Sequence, residues 1–521
     1  DIWSTDYANQ IFPWGPHGDY EKLQFREYYD YFSMKERMQT LAAYYPDFLQ
    51  FHEGLLGGMN ARGEMTTSND YEGWYYNHPS PWMKITSNVR GGEYNDFNGD
   101  DGNYADRPDV MLVGNHHARE WMSVQVPMFF LETLAFYYGK AGIDNDGDGL
   151  IDEDGWDGID NDGDCLGLNL SFQDSNGDGN PCGPGDLGVD EDFSEQFITD
   201  MVNTREIYLI PMLNTDGHRY DMEEYCGETA WENCYRSGWR KNLRDNTHTG
   251  VTPIPDVDES VDPSCDGVDL NRNALKLSEP FEGLVDRRRD VEDAYAELSS
   301  LLNPTSWSEA KFWWRALSTV ARKGFVATKR VLVSGQYSVP DGLWYGGKEL
   351  QKSHKYVLKF LGKVVEPSSR IFLVDAHSGL GPSGVDTLMA LGDDASLDGV
   401  RHVFGEPDGT FLYGETATGA ASGYDATIGD VPRGYADRLG WTNARGLTQE
   451  FGTVPGLIVA RALVRENAAW HHGDEAEQRA AARDVRDAFC VPSAAWQASV
   501  VERGVTVARQ ALAGLADGRL P

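Results

Sequence analysis

The sequence predicts an α/β protein: a mixed, mostly parallel central sheet flanked by helices, with an acidic loop insert. Three apolar strands predict it, each passing directly into polar residues. Asp109-Val110-Met111-Leu112-Val113-Gly114 runs into Asn115-His116-His117-Ala118-Arg119-Glu120. Residues 207–213 end in Asn214-Thr215-Asp216-Gly217. Arg370-Ile371-Phe372-Leu373-Val374-Asp375 delivers Ala376-His377-Ser378-Gly379. Continuous apolar runs of this length read as strands covered on both faces. Polar residues arriving just past strand ends place a site along the carboxyl edge of the sheet.

The remaining elements follow from periodicity and punctuation. Residues 1–30 are aromatic and turn-rich, and a helical pattern at about 34–45 ends before Pro46. Residues 50–100 alternate short strand-like runs, such as Trp82-Met83-Lys84-Ile85-Thr86, with Gly/Asn/Asp turns. An apolar helix is predicted at about 123–138, with Ser123 placed to cap it and Pro127 tolerated early. Further helices are predicted at about 290–302 and 308–323, and a strand at Leu447-Thr448-Gln449-Glu450-Phe451. From about 474 the pattern is helical, broken at Pro492.

Composition narrows the function classes. The 521 residues are 40% apolar and 12% aromatic, enough for a sizeable core, and carry a formal charge of −38. A charge of that sign excludes nucleic acid and anionic membrane surfaces as expected partners. No apolar run reaches the ~18 residues of a membrane span. The charge is uneven: residues 1–270 hold 16 Lys/Arg against 52 Asp/Glu, residues 271–521 hold 29 against 31, and residues 141–200 hold no base and 18 acids. Six cysteines, five of them in the acidic half and none in a C-x-x-C pair, favour disulfides and an extracellular setting. Cys165–Cys182 is the first pairing expected, since it closes the acidic insert; Cys490, far away in the helical C-terminal segment, reads equally as a buried free thiol.

His117 and Glu120, three apart and just past a strand, are placed to point at one ion. Zinc takes imidazole nitrogen and carboxylate oxygen, and catalytic sites use three protein ligands with one position left for water. His116 is set aside by spacing, because Arg119 stands three residues after it. The same H-x-x-E spacing recurs at His472-Gly473-Asp474-Glu475, in a charged, helical, solvated stretch. A third ligand is expected at another strand end, and His377 is the best-placed histidine. His17, His52, His78, His218, His248, His354, His402 and His471 sit in loops or polar segments, and most of them read as surface residues.

Gly114-Asn115-His116-His117-Ala118-Arg119-Glu120-Trp121 resembles the zinc-binding signature of metallocarboxypeptidases of the carboxypeptidase A/T type. Asn214-Thr215-Asp216-Gly217, Trp239-Arg240-Lys241-Asn242, Gly267-Val268-Asp269-Leu270-Asn271-Arg272-Asn273 and the strand-end His377-Ser378 also resemble family motifs, in the family's order, over roughly residues 25–460. The second half departs from the usual pattern around Asp375-Ala376-His377-Ser378-Gly379-Leu380-Gly381-Pro382, Gly335-Gln336-Tyr337 and Glu450-Phe451-Gly452-Thr453. There it is similar to a poorly characterised bacterial branch of carboxypeptidase-like hydrolases. The charge break near 270 coincides with the change, as in a mosaic joined around the Asp269–Asn273 segment.

The resemblance implies a zinc carboxypeptidase-like fold and a secreted, monomeric enzyme. Residues 1–140 and 193–473 would form the catalytic domain, 141–192 an acidic insert, and 474–521 a helical C-terminal tail. His117, Glu120 and His377 would hold Zn2+, which lowers the pKa of water from ~15.7 toward ~7. By resemblance Glu450 is the base that moves the proton to the leaving amine, and Arg240 the cation beside the developing oxyanion. Asn271 and Arg272 match the clamp for a substrate's C-terminal carboxylate, with Arg119 assisting; a planar guanidinium can bond both carboxylate oxygens. The family's mobile tyrosine has two candidates by interval, Tyr424 and Tyr435, neither in the expected context.

In the insert, Asp144-Asn145-Asp146-Gly147-Asp148-Gly149, with Asp152 as a fourth carboxylate, presents alternating oxygens of the kind that bind Ca2+. Residues 160–164 and 174–179 repeat the pattern, and such a loop is expected to order when cations bind. The expected substrates are peptide or protein C-termini. Two other functions fit the same residues: a zinc amidohydrolase acting on acylated amino acids or cell-wall peptides, and a non-catalytic, calcium-ordered binding module.

Overall fold

The computed structural model describes residues 28–55, 79–87, 107–139, 195–226, 238–242, 267–274, 282–339, 342–347, 350–365, 370–379, 381–390, 394–407, 411–413, 431–441, 444–491 and 493–516. The calcium-type carboxylates Asp144, Asp146, Asp148 and Asp152, the Cys165–Cys182 pair and Tyr424 lie outside them.

In chain order the elements are α1 (Tyr31–Tyr44), β1 (Leu49–His52), β2 (Trp82–Ile85), β3 (Asp109–Gly114), α2 (Met122–Tyr137), α3 (Glu195–Thr204), β4 (Glu206–Ile210) and α4 (Thr215–Cys226). After a 3-10 turn at Leu270–Arg272 come α5 (Glu282–Leu302), α6 (Glu309–Lys323), α7 (Phe325–Ser334), α8 (Lys352–Val364), β5 (Ile371–Gly379), β6 (Asp386–Ala390), α9 (Asp394–Phe404), β7 (Phe411–Tyr413), α10 (Val431–Leu439), β8 (Ala444–Gly452), α11 (Gly456–His472), α12 (Glu475–Phe489) and α13 (Ala494–Ala516). Helix α1 starts at a capping box, with Asp30 accepting from Ser33 N at 2.7 Å and Ser33 Oγ accepting from Asp30 N at 3.0 Å.

The sheet has eight strands in the order β1-β2-β4-β3-β5-β8-β6-β7. Strands β4, β3, β5 and β8 are mutually parallel; β1 and β2 add antiparallel on one side, and β6 adds antiparallel to β8 on the other. This is the mixed, mostly parallel sheet expected. From β3 the chain builds β4 on one flank and later β5 on the other. That makes the carboxyl ends of β3 and β5 a topological switch point, where a crevice opens.

Alternate residues of the central strands feed two cores. Val110, Leu112, Phe372 and Val374 face α2 and α13; Met111, Val113, Ile371 and Leu373 face α8 and α10. Helix α2 begins at Met122, and its capping residue is Trp121, which makes no side-chain cap bond. Ser123 therefore does not cap it: its hydroxyl accepts from Asn115 N at 2.9 Å and donates to Glu120 O at 2.6 Å, bracing the turn that follows β3.

The segment expected as a C-terminal tail contains α12 and α13. Helix α13 buries Val500, Val501, Val505, Val507, Ala508 and Leu512 in the same core as α2. The two helices touch so closely that a Cβ on Gly504 would meet Val126 Cγ1 at 2.5 Å. The second H-x-x-E copy is a helix start: Asp474 caps α12 in a capping box with Glu477. Three histidines expected on the surface are buried, because each has a partner that replaces water. His52 stacks on Trp82 at 3.7 Å, His218 bonds Ala118 O and Tyr29 O, and His354 bonds Tyr435 OH and Leu270 O.

Candidate active site

Strand β3 ends at Gly114, where a Cβ would collide with Ser123 O at 2.0 Å. Asn115 follows with φ 57°, a left-handed conformation that asparagine tolerates better than most residues. Its side chain bonds the carbonyls of His117 and Ala118 at 3.1 and 3.3 Å, which fixes the turn. The turn returns residues 117–120 over the strand end, and β5 brings His377 up beside them.

There the three expected ligands converge. His117 Nδ1 is 2.6 Å from Glu120 Oε1, His377 Nδ1 is 2.8 Å from Glu120 Oε2, and the two Nδ1 atoms are 3.2 Å apart. All three residues are buried, and their ligand atoms form one of two metal-capable groups among the described residues. The nitrogens remote from the cluster each meet a carboxylate: His117 Nε2 at 3.0 Å from Asp269 Oδ1, and His377 Nε2 at 2.8 Å from Asp375 Oδ2. A proton held on each Nε2 leaves a lone pair on each Nδ1 facing inward, the tautomer a metal needs.

The carboxylates also draw protons onto the metal-free cluster, and a binding metal would displace the one on His377 Nδ1. Burial alone would raise the Glu120 carboxyl, but His117 and His377 hold it well below the usual carboxylate range. Burial would lower His377, yet Asp375 and Glu120 push its imidazole well above the ordinary value. Burial likewise would raise Asp269, and Arg240 and His117 hold it well below. The pocket is thus an anionic cradle that draws in positive charge. Two imidazole nitrogens and one carboxylate, each ring backed by a second carboxylate, are the donor set that catalytic zinc takes.

Arg240 donates from Nε to Asp269 Oδ2 at 2.7 Å, with Nη1 3.4 Å from Glu120 Oε1, so it stands directly beside the cluster. Glu450 lies on β8 opposite His377 on β5. Its Oε1 is 3.2 Å from where a Cβ on Gly379 would sit, and the Phe489 ring of α12 is 2.8 Å from the same point. Asn271 is tied inward: Nδ2 lies 3.1 Å from His377 Nε2 and Oδ1 accepts from Val431 N at 3.2 Å. Arg272 is buried, with Nη1 on Asn271 O at 2.6 Å and Nε without a hydrogen-bond partner.

Arg119 packs behind the cluster, under helix α12. It is 5% exposed, its guanidinium lies 4.3 Å from the centre of the Phe489 ring, and Nη1 donates to Gly238 O at 3.2 Å. Tyr435 is 1% exposed, with its hydroxyl 2.8 Å from His354 Nδ1. Cys490 is the buried free thiol that was one of its two readings.

Sequence reasoning missed four residues. Asp269 sat inside a quoted motif without a role. Asp375 stands two residues before His377 and so shares its face of the strand, a spacing that was available as a signal. His116 was set aside, although its Nδ1 lies 2.8 Å from Asp375 Oδ1. Lys329 on α7 is 6% exposed, and burial pushes its ammonium down to about 8 against the opposing pull of Glu450; a single lysine in a short, mostly apolar helix gave no hint of it.

The zinc carboxypeptidase family profile matches residues 192–316. The resemblance is to the zinc carboxypeptidases. A second profile, a protein family of unknown function, matches residues 264–503. The two overlap across Asp269–Asn273, where the sequence changes character. No curated protein sequence matches the chain. Among solved structures, it is similar to thrombin-activatable fibrinolysis inhibitor (14% identity, 99% of this chain and 77% of that one, TM-score 0.45). It is also similar to carboxypeptidase A from Helicoverpa armigera (13%, 92% and 80%, 0.38) and a metallo-carboxypeptidase from Burkholderia cenocepacia (10%, 91% and 68%, 0.32).

Proposed function

We propose that this chain is a secreted zinc metallocarboxypeptidase that hydrolyses C-terminal peptide bonds. One observation carries the proposal: His117 Nδ1, His377 Nδ1 and the Glu120 carboxylate meet within 3.2 Å, each ring backed by its own carboxylate. Bound there, zinc supplies Lewis acidity toward a peptide carbonyl and acidifies water.

The remaining work falls to side chains. Glu450 accepts a proton at its carboxylate from the attacking water and returns it to the leaving amine. Arg240 offers a fixed cation to the carbonyl oxygen as charge develops; removing one such donor typically costs ~3–4 kcal/mol. Arg272 binds the substrate's terminal carboxylate, and its unpartnered Nε gives it donor capacity to spare. Zinc content of the purified chain, together with residue release from peptides with free and amidated C-termini, tests this reading. Zinc-free protein rejects the metal, and equal rates on the two peptides remove Arg272 from its role.

A second reading keeps the zinc and changes the substrate to acylated amino acids or cell-wall peptides. His377, Lys329, Glu450 and Phe489 all lie in the stretch matched by the family of unknown function, which assigns no substrate. Release from N-acyl amino acids exceeding release from longer peptides selects it. The acidic insert belongs to the proposal as a calcium-binding, disulfide-closed loop suited to an extracellular enzyme. Limited proteolysis within 141–192 decides: equal nicking with and without calcium rejects it.

A further inference from the structure

Beyond the three ligands, a second layer has its own construction. Asn115 in its left-handed turn sends the adjacent rings of His116 and His117 to different partners. His117 joins the cluster. His116, 0% exposed, packs its ring at 5.8 Å from that of His377 and places Nδ1 2.8 Å from Asp375 Oδ1. The other oxygen of Asp375 holds His377 Nε2 at 2.8 Å. The His116 contact is an ion-pair distance rather than an aligned hydrogen bond, and neither His116 ring nitrogen has another hydrogen-bond partner.

The other ligand histidine is built in the same way. Asp269 meets His117 Nε2 through Oδ1 at 3.0 Å, and its Oδ2 is pinned by Arg240 Nε at 2.7 Å. Each ligand ring is therefore backed by a carboxylate, and each carboxylate has a nitrogen group at its far oxygen: a hydrogen bond from Arg240 at Asp269, and the close contact of His116 at Asp375. A carboxylate bound at one oxygen only can rotate away; pinned at both, it presents a fixed acceptor.

We propose that His116 and Asp375 form a positioning pair for His377, with His116 doing for Asp375 what Arg240 does for Asp269. The pair sets which His377 nitrogen faces the cluster and how the ring is aimed. It rests on the zinc reading of the site, in which His117, Glu120 and His377 would hold the ion rather than the second metal-capable group, His116, Asp375 and His377. Loss of such an outer partner typically weakens metal affinity ~10–100-fold.

The test measures zinc affinity by chelator competition, and the visible absorption of the cobalt-substituted protein, for the wild type and for Asp375→Asn, His116→Gln and His116→Phe. Wild type is expected to bind one zinc. Asp375→Asn and His116→Phe are expected to bind it ~10–100-fold more weakly with altered cobalt bands, and His116→Gln, which keeps an N–H donor, to recover part of the loss. Unfolding of the metal-free proteins checks that the variants fold; should His116→Phe not fold, Asp375→Asn and His116→Gln give the same comparison. One zinc bound equally tightly in all of them, with unchanged cobalt spectra, overturns the pair while leaving the zinc site standing. A wild type that binds no zinc overturns the zinc reading and the pair with it.

Discussion

His377 and Glu450 stand opposite one another in the parallel register of β5 and β8, at the carboxyl end of the sheet. They are 73 positions apart in sequence and come from two strands that share the open edge. One contributes to the imidazole–carboxylate cluster, and the other presents a carboxylate beside it without being part of it.

That separation predicts a separable effect. Glu450→Gln keeps the shape of the side chain and removes its capacity to take a proton. Turnover should fall by ~10²–10⁴, the usual contribution of a positioned general base. Zinc content should stay at the wild-type level, measured on the same preparation.

Ligand replacement should do the reverse. His117→Ala and His377→Ala each leave two donors and an unbalanced carboxylate at Glu120. Bound zinc, read by metal analysis after dialysis, should drop from one per chain to near none. Chelating the wild type should lower its melting temperature, since a ligand that binds only the folded state stabilises it by mass action.

Arg272→Ala should raise KM on peptides with a free C-terminus far more than on amidated ones. Charge-assisted hydrogen bonds of this kind contribute ~1.5–3 kcal/mol, a factor of about 10–100. Arg272→Lys should recover the charge but not the planar fork, and so only part of the loss.

Gly379 has backbone φ 155° and no room for a side chain: a Cβ would sit 2.8 Å from Phe489 Cε1 and 3.2 Å from Glu450 Oε1. Gly379→Ala should destabilise the fold by ~1–3 kcal/mol, the usual cost of overpacking, and shift the Glu450 carboxylate. Denaturant unfolding reads the first effect and turnover the second.

Asp221 accepts from Trp239 N at 2.6 Å and Trp121 Nε1 at 3.0 Å, and burial pushes its carboxyl up from 3.8 to about 7. The folded state therefore holds this proton more tightly than the unfolded state. Its stabilising contribution is complete below pH 4 and is lost as the pH rises to 7. Asp221→Asn should flatten stability against pH across that window, by on the order of 2–4 kcal/mol between its ends. Unfolding titrations at pH 4, 5.5 and 7 check the slope, to which half-buried Glu466, pushed up to about 8, adds in the wild type.

Apolar runs at 109–114, 207–213 and 370–375 each marked a strand, because a strand buried on both faces must be continuously apolar; the second strand stops at Ile210, and 211–213 leave the sheet. The spacing of His117 and Glu120 and the strand-end place of His377 followed from the same local rules. What tertiary structure decided was each side chain's partner. His52, His218 and His354 look like surface residues in sequence and are buried, because an aromatic face or a carbonyl replaces water at each. Arg119 packs its guanidinium against Phe489, 370 residues later, since α12 returns to cover it. His116 was dismissed on spacing and meets Asp375, 259 residues on. Such pairings depend on β3, β5 and β8 lying side by side, a long-range ordering that no local run of residues encodes.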